Sequence, residues 1–105
     1  MKPLFKLEGG VDMISNLEYY RTFLHVANSC SFTRAAELLF ISQSAVSQTI
    51  KKLENELNCT LFERTSHGLL ITEEGTALYR HVQKAMEELD RGENALSTMT
   101  PPSIG

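Results

Sequence analysis

Residues 42–58 constrain the fold more than any other part of this 105-residue sequence. An α-helix turns about 100° per residue, which would gather four apolar side chains on one narrow stripe: Val46, Ile50, Leu53 and Leu57. The opposite face would carry Ser44, Gln48, Lys51 and Asn55. Ser42 is a good N-cap, and Asn58 tolerates the left-handed backbone at a helix end. We therefore predict an amphipathic helix that packs on one side and leaves a polar side free.

Two further helices are predicted before this one. In residues 14–28, apolar side chains recur at three- and four-residue steps, the pattern of one helix face: Leu17, Tyr20, Leu24 and Ala27. A shorter helix over residues 33–39 would be capped by Ser31 or Thr33, and its Ala35-Ala36 pair would let a neighbouring helix approach closely. Phe40-Ile41 then makes a tight connection. A short helix, a tight turn and a longer amphipathic helix predict a helix-turn-helix.

A hairpin and a last helix follow. Residues 61–64 and 69–71 read as two extended runs around a turn that contains Gly68. Thr72 can cap the last helix, with Glu73 and Glu74 well placed in its positively polarised first turn. The predicted fold is mainly α: a winged helix-turn-helix of three helices and a two-stranded wing, followed by a long linker helix.

The last helix, over residues 73–99, carries a heptad pattern. Steps of three and four residues connect Gly75, Leu78, Val82, Ala85, Leu89, Gly92, Leu96 and Met99. Such a seam favours a partner helix, although it could also pack on the chain's own head, as we expect for Gly75 and Leu78. The predicted dimerisation residues are Leu78, Val82, Ala85, Leu89 and Leu96.

These patterns divide the chain into four parts. Residues 1–12 read as a disordered leader or tag, residues 13–72 as the winged helix-turn-helix, residues 73–99 as the linker helix and residues 100–105 as a hinge. No apolar run approaches the roughly 18 residues of a membrane helix, and the start of the chain lacks a secretory signal. We therefore expect a bacterial, cytoplasmic protein that does not contact the membrane.

The net charge of −3 opposes a DNA-binding interpretation, because DNA-binding domains are usually basic. Its distribution weakens that objection. Residues 13–72 contain five basic and five acidic side chains, whereas residues 73–98 contain three basic and six acidic ones. The acidity therefore lies in the linker helix, behind the predicted helix-turn-helix.

The free polar face of the third helix suits the major groove, which is wide enough for one helix. Its glutamines are hydrogen-bonding groups that can read base edges. In the wing, Arg64 and His67 could lie against the DNA backbone or minor groove. One alternative is that these polar residues are simply the solvent-exposed surface of a helical bundle. A second alternative is a winged-helix module that binds protein rather than DNA.

Catalysis and metal binding are not indicated. His25, His67 and His81 show no zinc-type spacing, and Ser66-His67 lacks a nucleophile elbow. We expect no metal and no cofactor, and we predict that the protein is not an enzyme. Cys30 and Cys59 are interpreted as small buried or half-buried residues without a disulfide.

Five motifs occur in a specific order along the chain. They are Ser31-Phe32-Thr33-Arg34-Ala35-Ala36-Glu37-Leu38-Leu39, Ser42-Gln43-Ser44-Ala45-Val46-Ser47-Gln48, Leu53-Glu54-Asn55-Glu56-Leu57, Leu61-Phe62-Glu63-Arg64 and Leu70-Ile71-Thr72-Glu73-Glu74-Gly75. Together they resemble the N-terminal part of the LysR-type transcriptional regulators, over residues 17 to about 96. The resemblance implies a winged-helix head, a linker helix that forms a homodimer, and a C-terminal effector-binding domain absent from this sequence.

The resemblance also implies function. Proteins of this family bind interrupted palindromes in double-stranded DNA and commonly form tetramers, and a small-molecule inducer would bind only in the missing domain. The positions implied to approach bases are Gln43, Ser44, Gln48 and Lys51. Those implied to approach the DNA backbone are Thr33, Arg34, Ser42, Ser47, Arg64 and His67.

Three positions depart from the family pattern. Ser44 stands where proline is commonest, and Asn58 where glycine is commonest; both should be tolerated. His67 stands where a basic residue is frequent, so we expect a weaker or pH-sensitive wing contact, because histidine titrates near neutral pH. Since the chain stops at Gly105, we expect it to be a DNA-binding fragment of a longer protein.

Overall fold

The computed structural model describes residues 17–99. Its helices are α1 (Leu17–Ser29), α2 (Phe32–Leu39), α3 (Gln43–Leu57) and α4 (Glu73–Met99), and its strands are β1 (Phe62–Thr65) and β2 (Gly68–Ile71). The predicted winged helix-turn-helix with a long following helix is confirmed. The predicted leader, the first three residues of the first predicted helix and the hinge lie outside the described residues.

Side-chain and backbone caps mark where the helices begin and end. Ser31 rather than Thr33 caps α2, and its hydroxyl accepts a hydrogen bond from the Arg34 amide at 3.0 Å. The Ser42 hydroxyl accepts one from the Ala45 amide at 3.0 Å. At the end of α3, Asn58 has φ 57° and ψ 44°, the predicted left-handed conformation. Local capping chemistry therefore sets the limits of the helix-turn-helix.

The core lies where α1, α2 and α3 meet and is closed by β1. Its fully buried side chains are Phe23, Val26, Ala35, Val46, Leu53 and Leu61. The prediction for α3 holds at Val46, Ile50 and Leu53, but Leu57 is 37% exposed because it lies in the last turn, beyond the packed part of the helix.

The buried face of α1 differs from the predicted stripe. Its centre is Phe23 and Val26, whereas Leu17 is 41% exposed and Tyr20, Leu24 and Ala27 are only partly buried around the core. The physical reason is that α1 contacts α2, α3 and α4. Contact from several directions buries a broader and rotated face than one stripe would.

The wing is an antiparallel pair in which Phe62 lies opposite Ile71 and Thr65 opposite Gly68. The Thr65 hydroxyl closes the turn, because it donates to the Gly68 carbonyl at 2.9 Å and accepts from the His67 amide at 3.1 Å. Gly68 has φ 115°, a conformation that favours glycine. The turn is therefore stabilised by the Thr65 hydroxyl and by the backbone conformation of Gly68.

The first half of α4 packs on the head. The Thr72 hydroxyl caps this helix by accepting from the Gly75 amide at 2.9 Å. Val82 is 6% exposed, Leu78 packs against the core, and the Tyr79 hydroxyl donates to Asn28 Oδ1 on α1 at 2.6 Å. The seam prediction is therefore corrected at Val82, which faces the head, as was expected for Leu78. The seam residues that remain exposed are Ala85, Leu89, Gly92, Leu96 and Met99.

The two cysteines have different environments. Both are free thiols. Cys59 is half-buried, as predicted, but Cys30 is exposed, so that part of the prediction was wrong. Cys30 follows the end of α1 with φ 50°, and its thiol donates to the Ala27 carbonyl of that helix at 3.7 Å while it stays open to solvent.

Candidate nucleic-acid interface

The outer face of α3 presents hydrogen-bonding side chains to solvent. Gln43, Ser44, Gln48 and Lys51 are all exposed, and Ser47 is partly buried beside them. The opposite side of the helix is fixed by Val46, Ile50 and Leu53, each at most 2% exposed. A rigid helix with this outer face can enter a major groove as one body. The structure thus brings the four predicted base-reading residues to one surface, and their role stays a prediction.

The start of α2 lies beside the start of α3. The Thr33 hydroxyl donates a hydrogen bond to Gln43 Oε1 at 3.2 Å, and both residues are exposed. Amides in a first helical turn lack intrahelical acceptors, so the start of α2 also offers donors to an anion. The predicted backbone-contacting residue Thr33 is therefore in direct contact with a predicted base-reading residue.

Two other residues predicted to contact the DNA backbone already interact with groups of the protein itself. The Ser42 hydroxyl accepts its capping hydrogen bond and still has its own proton to donate. Arg34 forms an ion pair with Glu37, at 3.2 Å, and both side chains are more than half exposed. Exposed ion pairs of this kind contribute about 0–1 kcal/mol to stability. The Arg34 guanidinium can therefore leave Glu37 and bind a phosphate with little loss of stability.

A cleft of about 530 Å³ separates α3 from the wing. Its apolar lining includes Phe32, Phe62 and Leu69, and its polar lining includes Ser47, Lys51 and Arg64. The lining has two cations, Lys51 and Arg64, and one carboxylate, Glu54. A partly apolar cleft with this excess of positive charge suits a sugar–phosphate backbone, which has both an anionic and an apolar surface. The structure therefore brings Ser47 and Arg64 together with Lys51, one of the residues predicted to read bases.

Arg64 is held by an aromatic ring that the sequence analysis did not single out. Its Cζ lies 4.8 Å from the centroid of the Phe32 ring, a cation–π contact. Phe62 packs edge-on against the same ring, with centroids 6.3 Å apart and planes at 79°. No spacing rule connects Phe32 with Arg64, because they meet only when the wing folds against α2.

Glu54 was not predicted as a functional residue, although it lies within the motif at residues 53–57. Its Oε2 accepts hydrogen bonds from the Leu61 amide at 2.7 Å and the Phe62 amide at 3.3 Å. Glu54 belongs to α3, and these amides begin the wing. One carboxylate thus couples the position of the wing to that of α3.

His67 lies in the two-residue turn at the tip of the wing and is exposed. It is not among the residues that line the cleft. A side chain at the wing tip could reach a groove or a backbone beyond the one that crosses the cleft. His67 therefore stands apart from the other predicted contacts, and its role stays a prediction.

The described residues carry no sign of a metal site or a membrane helix. Between residues 17 and 99, no three His, Cys, Asp or Glu side chains come together as metal ligands could. In the same range, no helix has both the length and the hydrophobicity to cross a membrane. The clustered polar surface of α2, α3 and the wing is therefore the candidate site.

Comparison with known proteins agrees with this geometry. Residues 17–76 match the family model described as bacterial regulatory helix-turn-helix protein, lysR family. The chain belongs to the LysR family. The matched residues run from the start of α1 through the wing into the first turn of α4. This part of the LysR chain therefore contains the whole helix-turn-helix surface described above.

Curated LysR relatives are transcriptional regulators. The chain is 39% identical over 84 residues to the HTH-type transcriptional regulator CrgA of Neisseria meningitidis, covering 80% of this chain and 28% of that protein. It is 44% identical over 73 residues to the glycine cleavage system transcriptional activator of Escherichia coli strain K12, covering 70% of this chain and 24% of the activator. The chain thus spans about a quarter of the length of these relatives.

Solved LysR structures share the fold. The BenM DNA-binding domain in complex with catB site 1 DNA superposes with a TM-score of 0.76 at 32% identity, covering 83% of this chain and 98% of that one. Full-length BenM (R156H mutant) gives a TM-score of 0.72 at 33% identity, covering 84% of this chain and 28% of that one. The similarity therefore extends over the head and much of α4, and one of these neighbours holds DNA.

Proposed function

We propose that this LysR-family chain reads a specific operator by placing α3 in the major groove of double-stranded DNA. The observation that carries the proposal is the exposed hydrogen-bonding face of α3, opposite side chains that are almost fully buried. In this role, Gln43, Ser44, Gln48 and Lys51 contact base edges. Donor and acceptor groups on a rigid helix can distinguish all four base pairs in the major groove.

The proposed backbone contacts surround that helix. Thr33, Arg34 and Ser42 lie at the starts of α2 and α3, where helix amides add a positive field. Ser47 and Arg64 face the cleft between α3 and the wing, and His67 lies at the wing tip. Contacts on both sides of α3 would fix its orientation in the groove without themselves reading sequence.

The proposed assembly is a homodimer formed through the exposed part of the α4 seam, with Ala85, Leu89 and Leu96 as contacts. Leu78 and Val82 support this indirectly, because they pack the first half of α4 on the head. A two-fold dimer presents two copies of α3 to two half-sites, which is why an interrupted palindrome is the expected operator. For a full-length protein we propose a tetramer whose inducer binds in a further domain.

The proposed activity is regulation of transcription in the bacterial cytoplasm, without a catalytic reaction or a cofactor of this chain. Both curated relatives cited above are regulators by name, and one structural neighbour is a DNA complex. Activation and repression would use the same DNA contacts. In this proposal, the described residues recognise the operator.

Selection of bound sequences from random DNA tests the proposal. The wild-type protein should enrich one interrupted palindrome, and Gln43→Ala should flatten preference at one base pair of each half-site. Affinity for the selected site should fall steeply with salt, because phosphate contacts release counterions. If no sequence is enriched and binding to DNA is weak at every salt concentration, the protein-binding winged helix becomes the better interpretation.

A further inference from the structure

The hydrogen bond between Thr33 and Gln43 joins two helices at the groove-facing end of the head. Thr33 lies in the first turn of α2 and Gln43 is the first residue of α3. The Thr33 hydroxyl donates to Gln43 Oε1 at 3.2 Å, and both side chains are exposed. This contact therefore lies at the surface that is proposed to meet DNA.

The contact limits what each of the two side chains can do. A threonine hydroxyl has one proton, so a hydroxyl that donates to Gln43 has none left for a phosphate oxygen, and a backbone contact at Thr33 would then use its main-chain amide in the first turn of α2. The glutamine amide is planar, with its oxygen and nitrogen on diverging bonds. When Thr33 holds the oxygen towards α2, the amide nitrogen points away from α2 and offers its two N–H donors to the groove.

We propose that Thr33 is a positioning residue that decides which base edge Gln43 reads. With its amide oxygen engaged by Thr33, Gln43 acts as a donor and selects a base that presents acceptors in the major groove. Guanine offers two adjacent acceptors, N7 and O6, and is the fullest match. A glutamine with a free amide could instead contact adenine through both its oxygen and its nitrogen. The inference rests on the proposed base-reading role of Gln43.

Two other roles of Thr33 make different predictions. If the Thr33 hydroxyl contacts a phosphate, its loss weakens binding to all sequences alike, since phosphates carry no sequence information. If Thr33 has only a structural role, its loss lowers thermal stability and leaves base preference unchanged. A change in preference at one base pair is therefore specific to the positioning role.

The test is selection from random DNA with wild type, Thr33→Val, Thr33→Ser and Gln43→Ala. Valine keeps the shape of threonine and removes the hydroxyl, whereas serine keeps the hydroxyl. Thr98→Val repeats the change on the exposed end of α4 as a matched control. Thermal melting followed by circular dichroism checks that every variant is folded.

We expect wild type to select guanine at the base pair where Gln43→Ala loses preference. Thr33→Val should reduce that preference about fivefold or more, the size of one good base contact, while preference elsewhere is retained. Thr33→Ser and Thr98→Val should resemble wild type.

If Thr33→Val keeps full preference while Gln43→Ala loses it, the positioning role is overturned and the base-reading role of Gln43 stands. If Gln43→Ala itself changes nothing, the base-reading role fails.

Gln43→Glu provides a second test that does not alter Thr33. The glutamate carboxylate can still accept the Thr33 hydroxyl proton but has no donor for the groove. Its preference should move to a base that presents a donor, such as cytosine through N4. Retention of guanine by Gln43→Glu would overturn the proposed donor role of the Gln43 amide.

Discussion

At the scale of single residues, Gly75 and Gly92 lie in the same helix but in opposite surroundings. A Cβ added at Gly75 would overlap the Leu61 carbonyl oxygen and come within 2.7 Å of Ile71 Cγ1, whereas at Gly92 it would meet nothing within 4 Å. Gly75 thus lets α4 start against the wing. Among residues 17–99, no contact requires glycine at Gly92.

We expect Gly75→Ala to lower the free energy of unfolding by about 1–3 kcal/mol, the usual effect of overpacking. Gly92→Ala is the matched control and should raise helix stability by about 0.5–1 kcal/mol, since alanine favours helix interiors over glycine. Urea unfolding followed by circular dichroism measures both. Equal destabilisation by the two variants would contradict the packing difference.

The two thiols should react at different rates with an aromatic disulfide reagent at neutral pH. Burial, followed by the charges of Glu74 and Glu54, raises the pKa of the Cys59 thiol. A smaller thiolate fraction and partial burial both slow the attack by Cys59, whereas Cys30 is exposed. Cys30→Ser should therefore remove the fast phase and Cys59→Ser the slow phase. A single rate shared by both thiols would contradict this difference.

Arg64 is expected to contribute charge rather than sequence preference. Arg64→Ala should weaken binding to all sequences similarly and lower the slope of log affinity against log salt by about 1, the effect of one lost phosphate contact. Arg64→Lys keeps the charge and should largely keep the slope. Fluorescence anisotropy across a salt series measures it. A loss confined to one operator sequence would argue against a phosphate contact.

At the scale of secondary-structure elements, α3 and the wing are joined into one structural unit. Glu54 connects α3 to the first amides of β1. At the same open end of the hairpin, the Thr72 amide donates to the Leu61 carbonyl at 2.9 Å and the Thr72 hydroxyl donates to the Thr60 carbonyl at 2.6 Å. The base of the wing is therefore held both by α3 and by the residue that precedes α4.

Removal of the Glu54 carboxylate should loosen this unit. Glu54→Ala leaves the Leu61 and Phe62 amides without their acceptor, which should lower the free energy of unfolding by about 1–3 kcal/mol. Glu54→Gln keeps an amide oxygen and should lose less. Urea unfolding gives the stabilities, and hydrogen exchange at the Leu61 amide reports on the wing directly. Wild-type exchange in Glu54→Ala would show that the carboxylate does not hold the wing.

At the scale of the whole molecule, α4 changes its role along its length. Its first half is tied to the head by Val82 and by the Tyr79–Asn28 hydrogen bond. All of residues 87–99 are exposed, among them Leu89 and Leu96. Large apolar side chains in a regular row on an exposed helix are typical of an interface. The head should therefore move with the first half of α4 while the second half meets a partner.

Leu89→Glu should raise the dimer dissociation constant about tenfold or more, because it puts a charge where the proposed interface would bury a leucine. Gln83→Glu adds the same charge outside the seam and is the matched control. Sedimentation equilibrium measures both. A Leu89→Glu variant that sediments as wild type does would show that the chain pairs through another surface.

Much of the fold could be predicted from the sequence because helix ends depend on neighbouring residues. Capping by Ser42, the left-handed Asn58 and the apolar stripe through Val46 are short-range features, and each was predicted at its residue. Family motifs then pointed to the outer face of α3 as the candidate site. The wing was predicted from two extended runs of residues and a turn that contains a glycine.

The sequence by itself determined the order of the elements, the family and the polar face of α3, since these follow from local periodicity and contiguous motifs. Tertiary structure alone decided the buried face of α1, the docking of Val82 on the head and the contacts made by Thr33, Glu54 and Phe32. Those contacts join residues of different elements, and a one-dimensional pattern does not specify which side chains meet. The polar face of α3 could therefore be predicted from the sequence. The side chains that position this face and the neighbouring wing could be identified only from the folded structure.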